Sequence, residues 1–350
     1  MDKDFQSRHK KRGCFRWVSR ILLGFVALLL IVLSITLITG AKAKSDLKAK
    51  YPPPGIMVDV GGYRLHIFCE GAGSPTVIME SGLGDPSLDW ELVRPEIVKI
   101  TRTCVYDRAG LGWSDLSPQP RTAENIVEEL HTLLTNAGIA GSYVLVGHSI
   151  GGAYVRLYAH KYPESVAGMV LVDSSHEEQF SRFPPAVVEF SKQYDQQLEA
   201  QVGLYKPLVA MGLAALAPSL VPVSNKLPET TRKTYQALFS DPKVLETMIA
   251  EQKASESNLA QVGAARITTL GNIPLIVLSA GQFEFPPGAN ITPTVIKQTE
   301  QVWQQLQIEL TKLSPQGKQV LASQSGHYIQ LEQPQLVIDA IEQVVTDVRK

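Results

Sequence analysis

The 350-residue sequence predicts an α/β domain: a mostly parallel sheet flanked by helices, a helical cap before the penultimate strand, and an N-terminal transmembrane helix. Three observations carry this. From residue 55 onward, short Val/Ile/Leu-rich runs alternate with helix-length segments, the pattern of strands buried on both faces. That alternation lapses over residues 177–267, where only helix-like segments and several prolines occur. Residues 21–39 contain no charged side chain.

The uncharged run, ILLGFVALLLIVLSITLIT, is 19 residues long, close to the roughly 20 that a helix needs to cross a bilayer. Residues 1–20 form a basic leader with Lys3, Arg8, Lys10, Lys11, Arg12, Arg16 and Arg20. The weaker cluster Lys42, Lys44, Lys48 and Lys50 follows the run. The positive-inside bias puts the N-terminus in the cytoplasm and the main domain across the membrane. A cleaved signal peptide is the competing reading, because Ala41-Lys-Ala43 resembles a cleavage site, and the protein would then be secreted. The run exceeds the 7–15 residues of a signal peptide's apolar region, which favours a retained anchor. Residues 40–54 read as a linker closed by Pro52-Pro53-Pro54, and residues 55–350 as the main domain.

Within that domain, Met57–Val60 and Arg64–Cys69 flank Gly61-Gly62, a hairpin signal. Thr76–Met79 and Thr103–Tyr106 read as buried strands. Thr122–Asn136 reads as a helix with Thr122 as N-cap and Gly138 just past its end. The strand Tyr143–Val146 and a helix ending before Pro163 come next, then the strand Ala167–Val172. After the cap, Ile273–Leu278 and Lys318–Ala322 are the last two strands. Residues 335–348 form a final amphipathic helix with Leu336, Ile338, Ile341, Val344 and Val345 as its apolar positions.

A net charge of −1 shows no basic excess, so nucleic acid is not an expected partner. Three cysteines, with no C-x-x-C and no H-E-x-x-H, exclude a disulfide scaffold or a zinc module, and neither a metal nor a cofactor is among the expectations. The sequence leaves the oligomeric state open.

Gly147-His-Ser-Ile-Gly151 is the stretch that points to chemistry. The G-x-S-x-G pattern carries meaning between a strand and a helix, where flanking glycines allow a sharp turn that presents the serine at the tip of a buried strand. Glu80-Ser-Gly-Leu-Gly84, Tyr106-Asp-Arg-Ala-Gly-Leu-Gly-Trp-Ser114 and Ser325-Gly-His327 complete an ordered set. Over residues 55–350 the chain thus resembles the α/β-hydrolase superfamily. The resemblance implies Ser149 as nucleophile and His327 as the base that takes its proton. It implies an oxyanion hole from the backbone N–H groups of Leu83 and Ile150. His66, His131 and His160 read as structural, and His148 as a packing neighbour of the elbow. Asp107 and Arg108 read as structural salt-bridge residues.

In most of the superfamily the acid follows the strand that corresponds to Ile273–Leu278, where Glu284 is the only carboxylate. Some members carry it one strand earlier, where Asp173 stands. Asp173 is the expected acid and Glu284 the alternative. A serine at the elbow excludes the relatives that use aspartate there, such as epoxide hydrolases. The implied function is a serine hydrolase of the carboxylesterase or lipase kind, acting on a small-molecule ester. The alternatives are an acyltransferase, another cofactor-free reaction of the fold, or a catalytically silent binding protein.

In this fold the strands carrying Cys69 and Cys104 lie side by side. An exported domain favours a disulfide between them, with two buried free thiols as the other possibility. Pro207–Pro218 is apolar and too short to span a bilayer. It reads as a buried cap helix, or as a segment facing an acyl pocket or the membrane surface.

Overall fold

The computed structural model describes residues 3–283, 285–286 and 289–350, with side chains from Arg16 onward. Among the described residues, eight strands form one sheet: β1 (Ile56–Asp59), β2 (Arg64–Glu70), β3 (Thr76–Glu80), β4 (Thr103–Tyr106), β5 (Tyr143–His148), β6 (Val166–Val172), β7 (Leu275–Ala280) and β8 (Gly317–Ala322). Their spatial order is β1-β2-β4-β3-β5-β6-β7-β8. The β1–β2 and β2–β4 pairs are antiparallel, and every later pair is parallel.

The central strands alternate between two cores, as the period of two demands. Leu145, Met169 and Leu171 face one core, while Val144, Val146, Val170 and Val172 face the other. The α-helices among the described residues are α1 (Lys3–Lys50), α2 (Arg94–Ile97), α3 (Ala123–Asn136), α4 (Ile150–Lys161), α5 (Gln179–Arg182), α6 (Pro185–Ala210), α7 (Leu213–Leu216), α8 (Glu229–Leu238), α9 (Pro242–Ala264), α10 (Pro293–Thr311), α11 (Ile329–Glu332) and α12 (Pro334–Val348). Helices α3 and α4 cover the first core, and α12 covers the second with Trp90 and Ile97. Thr122 caps α3 by accepting from the Asn125 amide at 3.2 Å.

Five helices, α5 to α9, fill the interval between β6 and β7 as the cap. The last of them, α9, is bound into the domain. The Asn258 amide side chain donates to the Arg121 carbonyl and the Tyr154 hydroxyl, and its oxygen accepts from the Ala123 amide.

Helix α1 contains one segment long and apolar enough to cross a membrane, Arg16–Lys50, and none of its most apolar 18-residue window is buried in the protein. Its hydroxyls are satisfied within the helix: Ser34, Thr36 and Thr39 donate to the carbonyls of Leu30, Val32 and Ile35 at 2.8–2.9 Å. In a hydrocarbon environment, where no water competes, such internal bonding is required. The helix continues through most of the linker to Lys50. Residues 41–50 are mainly Ala, Lys and Leu, good helix formers, and an i,i+4 Lys42–Asp46 pair adds support. Pro52 ends the run by excluding helical backbone before it. The lower end of α1 packs on the cap. Gly40 touches the backbone of Met211 and Gly212 so closely that a Cβ on it would lie 2.0 Å from the Met211 oxygen. Lys44 donates to the Ala210 carbonyl at 3.0 Å, which caps the end of α6.

Cys69 and Cys104 are paired in register across β2 and β4 and form a disulfide, with Cα atoms 4.0 Å apart.

Candidate active site

The elbow follows from local backbone demands. Ser149 sits between β5 and α4 with φ 56° and ψ −126°, a strained conformation for a residue with a side chain. A Cβ on Gly147 would lie 2.7 Å from the Gly151 oxygen, and one on Gly151 would lie 2.5 Å from the Ser81 oxygen. Only glycine lets the chain turn there while the Ser81 turn approaches.

Strand register brings the acid alongside. His148 pairs with Val172, so the next residues on each strand, Ser149 and Asp173, leave the sheet together. Two backbone bonds tie them: Ser149 N–H to the Val172 oxygen at 3.1 Å and Ser175 N–H to the Ser149 oxygen at 2.9 Å. His327, from the loop after β8, spans the two. Its Nε2 lies 2.9 Å from Ser149 Oγ, and its Nδ1 lies 2.6 Å from Asp173 Oδ2. The structure thus brings Ser149, His327 and Asp173 into one hydrogen-bonded line. Glu284 lies outside the described residues.

Several groups hold this line in place. Asp173 Oδ1 accepts from Trp303 Nε1 at 2.7 Å and from the Ala280 amide at 2.9 Å, which leaves Oδ2 for His327. Glu332 accepts from the Gly326 amide and the Ser325 hydroxyl, fixing the loop that carries His327. His148 Nε2 donates to the His327 carbonyl at 2.9 Å. Burial, with the His327 charge nearby, pushes the His148 pKa well below the ordinary range, so its ring is neutral.

Burial also opposes charge on His327, but the Asp173 hydrogen bond and charge, with Asp85 behind them, outweigh it and raise its pKa. Behind the site, burial raises Asp85 to about 6 and its neighbour Asp89 further.

The turn bearing Leu83 is clamped from below. Arg108 is buried and donates to the carbonyls of Ser81 at 2.8 Å and Gly82 at 2.6 Å. A trans peptide points its C=O and N–H in opposite directions. Holding the Gly82 oxygen toward Arg108 therefore turns the Leu83 N–H away from it. Ile150 N–H is the first amide of α4 and one of the four that a helix leaves without an internal partner. A Cβ on Gly82 would lie 2.7 Å from His148 Nδ1, which shows how closely this turn approaches the elbow.

The partner of Arg108 is not Asp107. Arg108 pairs with Glu80 at 2.6 Å and with Glu251 of α9 at 2.7 Å. Asp107 instead takes His66 at 2.9 Å and the amides of Ser87 and Trp113. Glu251 also accepts from the Gly84 amide at 3.1 Å. No sequence pattern marks Glu251, because it reaches the site from a cap helix 143 positions away from Arg108. Trp303 was equally hidden, although Thr292-Pro293 is a helix-start signal and Thr292 caps α10.

A cavity of about 570 Å³ opens beside Ser149 and His327, lined also by Phe183, Lys226, Phe283 and Trp303. Among the described residues, no group of three or more His, Cys, Asp or Glu side chains could hold a metal ion.

A family model described as alpha/beta hydrolase fold matches residues 75–334. An uncharacterized protein of Bacillus subtilis, YqjL, is 28% identical over 275 residues, 79% of this chain and 85% of that protein. The probable transporter efuK of Hormonema carpetanum is 36% identical over 136 residues, 37% of this chain. The match spans about a fifth of that protein's length. Among solved structures, a thermophilic esterase from Thermogutta terrifontis superposes with a TM-score of 0.55 at 23% identity, covering 84% of this chain and 99% of that one.

Proposed function

This chain belongs to the alpha/beta hydrolase fold family, and from that premise we propose that it is a membrane-anchored serine hydrolase that cleaves carboxylic esters through an acyl-enzyme on Ser149. The observation that carries the reading is the line Ser149 Oγ, His327 Nε2, His327 Nδ1, Asp173 Oδ2, with spacings of 2.9 and 2.6 Å. In that line the imidazole takes the serine proton as Oγ attacks the ester carbon. The amides of Leu83 and Ile150 receive the developing oxyanion. His327 then returns the proton to the leaving alcohol, and a water activated by the same base releases the acid. Asp173 holds Nδ1–H toward itself, so Nε2 is free to accept, and stabilises the imidazolium.

The anchor reading rests on the apolar run of α1 and its seven-cation leader. Retention is favoured by the contact of Gly40 with the cap, which cleavage after Ala43 would remove. An extracytoplasmic domain agrees with the Cys69–Cys104 disulfide.

The test is covalent labelling with a fluorophosphonate probe together with hydrolysis of a p-nitrophenyl ester series. Wild type labels and hydrolyses, and Ser149→Ala does neither. A wild-type protein that resists the probe would overturn the serine mechanism.

A further inference from the structure

We propose that the cap segment from Leu204 to Leu220 rests on the surface of the bilayer that α1 crosses, and that the ester reaching Ser149 is a long-chain amphiphile held in that bilayer. The inference rests on the serine-esterase reading and on α1 as a span. Outside α1, most of the large apolar side chains that stay exposed are single, which is ordinary for a soluble surface. The exception is this segment, where Leu204, Tyr205, Leu208, Leu216 and Leu220 are 76, 60, 41, 51 and 82% exposed. Between Gln201 and Asn225 the only charged residue is Lys206, and it is paired with Glu246 at 2.9 Å.

The occupant follows from where this surface is held. The uncharged run ends at Thr39, and the next residue, Gly40, is buried against Met211 and Gly212. A helix rises about 1.5 Å per residue, so that contact lies at the level where α1 leaves the apolar layer. The backbone joining α6 to α7 is thus pinned at the membrane boundary, with the exposed leucines on either side of it in sequence. Lys48 and Lys50, exposed in the turns that follow, are placed for lipid phosphates. The same segment continues into the site. Pro222, Val223 and Leu227 line a second cavity, which shares Lys226 and Glu332 with the one beside Ser149.

The experiment uses the full chain in phosphatidylcholine vesicles, in a Cys14→Ser background. An environment-sensitive dye is placed at Leu220→Cys and, as a control, at Asp339→Cys on α12. Doxyl-labelled phosphatidylcholine is expected to quench the dye at 220 strongly and the dye at 339 hardly at all; equal, weak quenching overturns the proposal. A Leu216→Glu/Leu220→Glu protein should hydrolyse a vesicle-embedded long-chain monoacylglycerol about tenfold more slowly, while p-nitrophenyl acetate hydrolysis is unchanged. An unchanged rate on the embedded ester also overturns it, as does equal loss on both substrates. Failure of the underlying readings looks different. A protein stripped from vesicles by alkaline carbonate has no span, and one that quenches at 220 but hydrolyses no ester is not an esterase.

Discussion

Asp173 and Glu284 compete for one role, and a pair of isosteric amides separates them. Asp173→Asn leaves His327 without its acceptor and favours the wrong tautomer, so kcat should fall by about 10⁴-fold. Glu284→Gln should change kcat less than about threefold under the same reasoning. Steady-state kinetics on both variants decides the assignment. The pH profile follows from the same contact. Catalysis needs neutral His327, and its pKa lies above the usual 6.5, so kcat/KM should rise with pH through a midpoint above that value. Charged His327 also stabilises the fold below its unfolded pKa, and that contribution disappears as pH rises through the folded value. Removing the charge at position 85 with Asp85→Asn should move the midpoint of the kcat/KM profile to lower pH, because one of the groups that raises it is gone. A profile unchanged by this variant would count against the through-space coupling.

At the level of single elements, the buried cluster of Arg108, Glu80 and Glu251 ties the turn bearing Leu83 to α9. Replacing Glu251 with leucine leaves buried Arg108 short of a partner and should destabilise the protein by roughly 3–5 kcal/mol, readable as a lower denaturation midpoint. Because Arg108 also aims the Leu83 peptide, activity measured on protein that remains folded should fall as well. Much of this scale was legible in advance. The elbow, the strands around it and the Thr122 cap follow from glycine spacing, apolar runs and side-chain acceptors, all of which are local signals. Asp173 is the expected acid because the customary loop lacks an aspartate and some members of the superfamily carry the acid one strand earlier, and the register of β5 with β6 places position 173 beside Ser149. Glu251, Trp303 and the pairing of Arg108 were not, since each depends on which distant helix lands against the sheet, and periodicity carries no record of that. The linker read between α1 and the domain is largely helix, because residues 41–50 favour helix and the first strong breaker is Pro52.

Across the whole molecule, the disulfide closes a loop of 35 residues between β2 and β4. By the loop-entropy argument its removal should cost about 4 kcal/mol. Comparing Cys69→Ala/Cys104→Ala with wild type by chemical denaturation measures this. A difference under about 1 kcal/mol would mean that the link constrains the unfolded chain far less than that argument requires.

The clamp of α9 bears on how a ligand can enter. Swinging the five inserted helices outward as one door would tear Glu251 from Arg108 and strip Asn258 from the start of α3, stranding ionic and polar groups that no water had reached. α9 is therefore fixed to the sheet domain, and any opening for a ligand has to come from the part of the insertion before it, α5 to α8. That part carries both the exposed leucines and Phe183 of the cavity wall, so the face proposed to meet lipid and the way in to Ser149 belong to one piece of chain, with α9 as the doorframe.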